Sequence, residues 1–336
     1  MAGFDLYFIY QTGLIENLNT LEEGLAKLNP EAGGYLWLDY YAPSEDNLAL
    51  LVKPLGIHYL TLEDCLDDYQ IPKIDEHETY VHILLNTFLY SNKKVIINEA
   101  NLILGENFLI TVTKAGINNP DFTRKYKALI EKEMRNAKLG SAYAMQIILD
   151  YLVDRKFTVI EAVGDDLANL EDTMSENHNA FDHALLQGTR HSLMTLRKSL
   201  FHEREILVKI CRNDIDIIPD KVIIHYNDIY DHLTKFFELT EIYREMVTNL
   251  IQTNLAMLNN DIAIAANNTN YSVRRLTLIT TIFMPLTLIT GIGGMSEWSM
   301  MTGPENWKIT YPVFLGIMVL IGLVNYFILK WLERKD

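Results

Sequence analysis

The chain has 336 residues, 49% of them hydrophobic, and a formal net charge of −15. This length allows one or two domains with packed cores, and the acidic excess disfavours nucleic acid and favours cations as partners. Cys65 and Cys211 stand alone without a C-x-x-C pair, which suits a reducing compartment and gives no disulfide framework or thiolate metal site.

Met1 to Tyr10 carries Asp5 and no basic segment, so it does not read as a secretory signal. Residues 1–137 mix strand and helix signals and are expected to form an α/β domain. Phe4–Tyr10, Tyr35–Tyr40, Tyr80–Tyr90, Lys94–Asn98 and Asn101–Thr113 are rich in β-branched and aromatic residues and read as strands. Ser44–Leu51 and Thr61–Asp68 read as helices with Ser44 and Thr61 as N-caps, and Asp121–Lys138 as a helix of alternating charge. Short hairpin-like links and helical crossovers both occur, which predicts a mixed sheet.

From Ser141 the pattern changes to long helices, Ser141–Ser175 and Ala180–Arg212, with a break at Asn213–Asp220. Pro219 suits the first turn of a third helix, and no further proline occurs before Pro285. One helix of roughly 70 residues is expected, about 100 Å long at 1.5 Å per residue. Its apolar positions Leu239, Ile242, Met246, Leu250, Leu258 and Ile262 need partners, and self-association around an axis supplies them. Residues 138–275 thus form a helical region that includes this stalk.

Two runs, 276–296 and 309–329, contain no charged residue. Each is long enough to cross a hydrocarbon core of about 30 Å as a helix. Arg274 and Arg275 precede the first, Lys330, Arg334 and Lys335 follow the second, and the loop 297–308 holds two acids and one base. The positive-inside rule then puts both termini, including the tail 330–336, in the cytoplasm and the loop outside. Trp298, Trp307 and Tyr311 fall at interfacial positions. Within 276–336 four acids balance four bases, so the whole negative excess lies in the cytoplasmic part.

Asn270, Val273, Thr277, Thr280, Met284, Thr287, Gly291 and Gly294 are spaced 3, 4, 3, 4, 3, 4 and 3 apart and share one helix face. That face is small or polar except at Val273 and Met284, while Leu278, Ile282, Phe283, Leu286 and Ile289 lie opposite. The stripe fits a pore lining, and equally fits small residues that allow tight helix packing. Upstream, Asn254, Asn259, Asn260, Asn267, Asn268 and Asn270 crowd the stalk end. Their carboxamides fit contact with the water shell of a cation such as Mg2+, which dehydrates reluctantly; a solvated juxtamembrane segment is the other reading.

The stretch Leu276-Thr-Leu-Ile-Thr-Thr-Ile-Phe-Met-Pro-Leu-Thr-Leu-Ile-Thr-Gly-Ile-Gly-Gly-Met295 closely resembles the pore helix of CorA-type magnesium channels. Gly303-Pro-Glu305, Trp307 and Tyr311-Pro312 continue the resemblance, as do Leu62-Glu-Asp64, Pro72-Lys73 and Tyr230-Asp-His232. The resemblance implies a funnel-shaped homopentamer in a cell membrane, each subunit giving an α/β cytoplasmic domain, a long stalk helix and two C-terminal transmembrane helices. It implies passive influx of divalent cations, Mg2+ first and also Co2+ or Ni2+, with Met284 as an apolar constriction and Asn270, Thr280, Thr287 and Gly291 supplying oxygens. Pro285 is expected to loosen the helix between Thr281 and Thr287.

The family signature at the outer mouth is Gly-Met-Asn, whereas this chain reads Gly294-Met295-Ser296. Ser296 offers a shorter hydroxyl, which bears on selectivity, and ZntB-type zinc transporters are relatives with altered signatures. Glu297 and Glu305 would form outer acidic rings. The resemblance further implies closure when cytoplasmic Mg2+ bridges acidic residues between neighbouring cytoplasmic domains, with Glu63, Asp64, Asp67, Asp68, Glu99, Asp228 and Asp231 as candidates. The helix run Glu161 to Glu176 reads as a solvated face. Enzyme signatures are absent: His77-Glu78 and His202-Glu203 lack the second histidine of a zincin, and no phosphate loop or other cofactor motif occurs. A membrane-anchored sensor or scaffold that transports nothing is the remaining alternative.

Overall fold

The computed structural model describes residues 3–28, 33–68, 70–113, 128–133, 139–176, 181–294 and 303–333. They divide into two compact units, Met1–Gln252 and Thr253–Asp336. The first begins with β1 (Gly3–Tyr10), β2 (Ile15–Leu18), α1 (Leu21–Lys27), β3 (Gly34–Tyr41), α2 (Glu45–Ala49), α3 (Val52–Leu55) and α4 (Tyr59–Leu66). It continues with β4 (Lys73–Glu76), β5 (Tyr80–Ser91), β6 (Lys94–Gly105) and β7 (Phe108–Thr113).

These strands form one sheet in the order β2-β1-β3-β7-β6-β5-β4. Only the central β3–β7 pair is parallel; the other neighbours are antiparallel. The mixed sheet expected from the sequence is therefore present. Burial is continuous along the middle of β3 and throughout β7, as in a sheet covered on both faces. Leu6, Phe8, Leu36, Leu38 and Tyr40 pack under the short helices with Leu48, Leu51 and Leu62.

Ser44 caps α2 in a reciprocal box with Asn47, as its position suggests. Thr61 does not cap α4. His58 does, its Nδ1 accepting from Leu60 N at 3.2 Å, while the Thr61 hydroxyl lies inside the helix 2.8 Å from the Tyr80 hydroxyl. Nor does the chain break between Asn98 and Asn101. β6 runs unbroken to Gly105, and the turn falls at Glu106 and Asn107, whose carbonyl accepts from Leu36 N at 2.9 Å. Most of the expected helix Asp121–Lys138 lies outside the described residues; 128–132 are helical.

Three long helices follow: α5 (Ser141–Glu176), α6 (His183–Cys211) and α7 (Asp220–Gly293). α5 and α6 pack on the sheet. The 74-residue α7 matches the single stalk expected, and it remains helical across Pro285 rather than loosening there. Within the first unit it buries Val222, Tyr226, Ile229, Leu233, Phe236, Thr240, Val247 and Leu250. This is not the apolar stripe read from the sequence: only Leu250 of that set is buried, while Ile242, Leu258 and Ile262 are exposed. Tyr226 donates to the Ala142 carbonyl at 2.7 Å. Gly164 lets α5 approach Tyr243 so closely that a Cβ there would fall 2.4 Å from its ring.

A buried ion pair joins α5, α6 and β5. Lys156 Nζ lies 2.8 Å from Glu203 Oε1 with both side chains fully buried. It also donates to the Asn86 carbonyl and sits 4.7 Å from the Phe88 ring centroid. Glu203 accepts from Asn86 N and from the Ser199 hydroxyl, each at 3.1 Å. Burial drives the Lys156 pKa down, opposed by Glu203. Removing the ammonium strands a carboxylate in the core, at about 3–5 kcal/mol. Lys156→Met should therefore lower the thermal midpoint of the purified protein substantially. Arg197→Ala, which breaks the exposed pair with Glu241, should barely move it. Equal midpoints for the two variants would contradict the assignment.

Candidate functional site

In the second unit, α7 continues to Gly293 and is followed by a 3-10 turn, Pro304–Asn306, and by α8 (Trp307–Glu333). Both helices are long and apolar enough to span a bilayer, and none of the apolar window of either is buried within the chain. A soluble core helix would be covered. These two require an apolar medium around them.

α8 covers one face of α7. Leu278, Ile282, Leu286, Ile289 and Gly293 are half-buried, as are Phe314, Met318, Ile321 and Gly322 on α8. A Cβ on Gly293 would meet Phe314 Cζ at 2.9 Å, and one on Gly322 would meet Leu286 Cδ1 at 3.8 Å. Glycine therefore sets the helix spacing at Gly293, whereas a Cβ at Gly322 would make only an ordinary contact. Phe283, read from the sequence on the same side, is 60% exposed.

The stripe Asn270, Val273, Thr277, Thr280, Met284, Thr287, Gly291 and Gly294 lies roughly half a turn away from that face, and every member is exposed. Within the subunit, tight packing against α8 is thus not what the stripe serves. Thr280, Met284, Thr287 and Gly291 line one shallow open groove. The hydroxyls of Thr277, Thr280 and Thr287 donate to their own helix, to the carbonyls of Val273, Leu276 and Phe283 at 2.8–2.9 Å. Each hydroxyl hydrogen is thereby used, and the oxygen presents only lone pairs outward. Pro285 has no N–H to give the Thr281 carbonyl four residues back.

Of the outer-mouth residues, Gly294 ends the helix with its N–H on the Thr290 carbonyl at 3.0 Å, and Glu305 is exposed in the 3-10 turn. Met295, Ser296 and Glu297 lie outside the described residues.

Within one chain the seven acids named as regulatory candidates do not form a single cluster; the expected bridge is one between neighbouring chains. Asp64 is bonded by Lys73 at 2.6 Å and by Gln70 at 3.1 Å. Burial raises its pKa, but these two partners hold it below the usual carboxylate range. Glu99 is buried and accepts the Gln70 amide. Glu63, Asp67 and Asp68 are exposed on or just beyond α4, and Asp228 and Asp231 on α7.

A different set does converge. Asp150 and Asp154 on α5 and His232 on α7 present ligand atoms within 4.8 Å of one another. His232 Nδ1 is 3.4 Å from Asp154 Oδ1, and a buried oxygen of Asp150 has no partner. Burial pushes the Asp150 pKa up; Asp154 and Asp228 push the same way and His232 opposes them. Two carboxylates and an imidazole, with a third carboxylate nearby, suit a divalent cation. The available signal was a pair of i, i+4 spacings, Asp150/Asp154 and Asp228/His232, but nothing in either pair indicates that the helices face each other.

Residues 32–331 match the family of CorA-like Mg2+ transporter proteins. The chain belongs to this family. It is 32% identical over 276 residues to the cobalt/magnesium transport protein CorA of Thermotoga maritima, covering 80% of this chain and 74% of that one. The complete structure of the CorA magnesium transporter of Methanocaldococcus jannaschii superposes with a TM-score of 0.68 at 22% identity, covering 96% of each chain. The cytoplasmic domain of ZntB from Vibrio parahaemolyticus shares the fold at 12% identity, with a TM-score of 0.59 over 77% of this chain and 99% of that one.

The CorA-like fold of an α/β domain, a long helix and an apolar C-terminal helix is thus present, and the family is one of membrane transporters rather than enzymes. In this CorA-like chain the α7–α8 contact decides which face of α7 stays open. Gly293→Leu should force Phe314 aside and lower the thermal midpoint, at about 1–3 kcal/mol. Phe314→Ala in the same background should restore part of the loss. Failure of that rescue would contradict the packing.

Proposed function

We propose that the chain is one subunit of a homopentameric channel through which divalent cations, Mg2+ first, pass the membrane passively, with both termini in the cytoplasm. The observation that carries this is the open stripe Asn270–Gly294, set opposite the face that α8 covers. In hydrocarbon such a face of acceptor oxygens has no use, whereas around a shared water-filled axis it offers lone pairs to the water shell of the ion. Met284, 72% exposed on the same stripe, narrows that axis with an apolar ring. An inside-negative potential supplies about 4.6 kcal/mol per 100 mV for a double charge, so no nucleotide site is needed.

Cytoplasmic divalent cation regulates the channel through the carboxylates of Asp150, Asp154 and the nearby Asp228, whose oxygens suit Mg2+, with His232 beside them. An ion held there favours the arrangement in which α5 and α7 present all their ligands together, and α7 is the helix that carries the stripe. Ser296 in place of the family Asn favours one second reading, selection of Zn2+ over Mg2+.

Flux into liposomes tests both parts. Purified protein should pass Mg2+, and also Co2+ or Ni2+, with uptake falling as internal Mg2+ rises. Zn2+ uptake without Mg2+ uptake would replace the first reading with the second, and no flux of any ion would leave a non-transporting sensor. Ser296→Asn should change the ion profile or rate; an identical profile would remove Ser296 from selectivity. Asp150→Asn combined with Asp154→Asn should keep transport but require at least about tenfold more internal Mg2+ to inhibit it. Unchanged inhibition would exclude this cluster.

A further inference from the structure

A second group of ligand-bearing side chains lies on the α/β domain, away from α5 and α7. Asp64 at the end of α4, Asp75 on β4 and His82 on β5 present one ligand atom each within 4.8 Å of one another. The β4–β5 register makes Asp75 and His82 direct cross-strand partners, so their proximity is fixed by the sheet.

His82 is fully buried. Its Nε2 lies 2.8 Å from Asn101 Oδ1, an acceptor, so Nε2 carries the hydrogen and Nδ1 keeps its lone pair. That Nδ1 is buried with no hydrogen-bond partner and points at Asp75 Oδ2, 3.9 Å away. A lone pair facing a carboxylate across this gap is unfavourable unless a cation lies between them. Lys73 meets half of the need: its Nζ is 2.6 Å from Asp64 Oδ2 and 3.2 Å from Asp75 Oδ2. It pairs both carboxylates but leaves the imidazole nitrogen unpartnered.

We propose that Asp64, Asp75 and His82 Nδ1 form a binding site for a divalent transition-metal ion, and that the Lys73 ammonium occupies the place of that ion until it is displaced. One imidazole and two carboxylates suit Zn2+, Co2+ or Ni2+, whereas Mg2+ prefers oxygen ligands alone and gains little from the nitrogen. The hydrogen bond at the ring's other nitrogen, to Asn101 Oδ1, holds the tautomer that a metal-binding histidine needs. The side chains of Lys73 and Asp75 are 35% and 43% exposed, which gives an ion a way in and the ammonium a way out. Lys73 keeps the two acids together while no metal is bound and weakens binding by competing with it. The site stands on its own ligand set and does not depend on the pore reading.

The test uses the full-length protein in detergent with the Asp150→Asn and Asp154→Asn changes, so that the α5–α7 cluster does not contribute. Co2+ is titrated at saturating Mg2+ and followed by its visible absorption and by equilibrium dialysis. One Co2+ per chain should bind and resist Mg2+. Lys73→Met should tighten it by about tenfold or more, and Asp75→Asn, at a half-exposed position that leaves the fold intact, should weaken it by at least as much. Complete displacement of Co2+ by Mg2+, no tightening in Lys73→Met, or unchanged binding in Asp75→Asn would each overturn the proposal. Mg2+ flux does not enter these readouts, so failure here and failure of the channel reading are separate results.

Discussion

A helix that crosses hydrocarbon can leave a polar face uncovered only if water or another protein surface meets it, and α7 has such a face. α8 takes up the side formed by Leu278, Ile282, Leu286, Ile289 and Gly293, and a single subunit has nothing else to offer. Opposite that side, from Thr277 to Gly294, lie three threonine hydroxyls, two glycines and one methionine, flanked by the exposed Ile279, Phe283, Leu288 and Ile292. Because the hydroxyl hydrogens return to the helix backbone, the outward oxygens accept and do not donate. That polarity suits the water shell of a cation, whose hydrogens point away from the ion. The same helix exposes Leu255, Leu258, Ile262 and Ile264 below the span, and copies of the chain packed around an axis would bury them.

The acidic charge has a place in this arrangement. All of the excess lies before residue 276; under the proposed orientation it would concentrate divalent ions at the inner end of the pore. Most of these carboxylates are solvated. Two groups are different because imidazoles and desolvation accompany the acids: Asp150, Asp154 and His232 between α5 and α7, and Asp64, Asp75 and His82 around Lys73. The first includes a residue of the stalk helix itself, His232.

Much of this was legible in the sequence because helical periodicity is a local property. Spacings of three and four identified the stripe, and the absence of Pro and Gly identified the long helices. Features decided by contacts between distant residues were not legible. β6 seemed to break at Glu99 because Asn98 and Asn101 resemble turn residues, yet Glu99 is drawn into the core by the Gln70 amide. Thr61 resembles an N-cap, but Tyr80 claims its hydroxyl and His58 caps the helix. The short elements β2, α1, α3 and β4 carry too few residues for a pattern to emerge. The face by which the stalk meets α5 and α6 was not legible either, since nothing local separates it from the apolar stripe read as a surface for self-association. Asp150 and His232 are 82 positions apart in sequence, and only the packing of α5 against α7 joins them.

The central claim concerns which side of one helix faces water, and thiol accessibility measures that directly. With Cys65 and Cys211 replaced by alanine, single cysteines would be placed at Thr277, Thr280, Thr287 and Gly291, and at Leu278, Ile282, Leu286 and Ile289. The reconstituted variants would then be treated with a charged, water-soluble thiol reagent while Mg2+ uptake is recorded. Modification at the first four positions and loss of uptake there, with the second four unreactive, is the predicted result. Reaction at the second set, or none at the first in variants that still transport, would contradict the account.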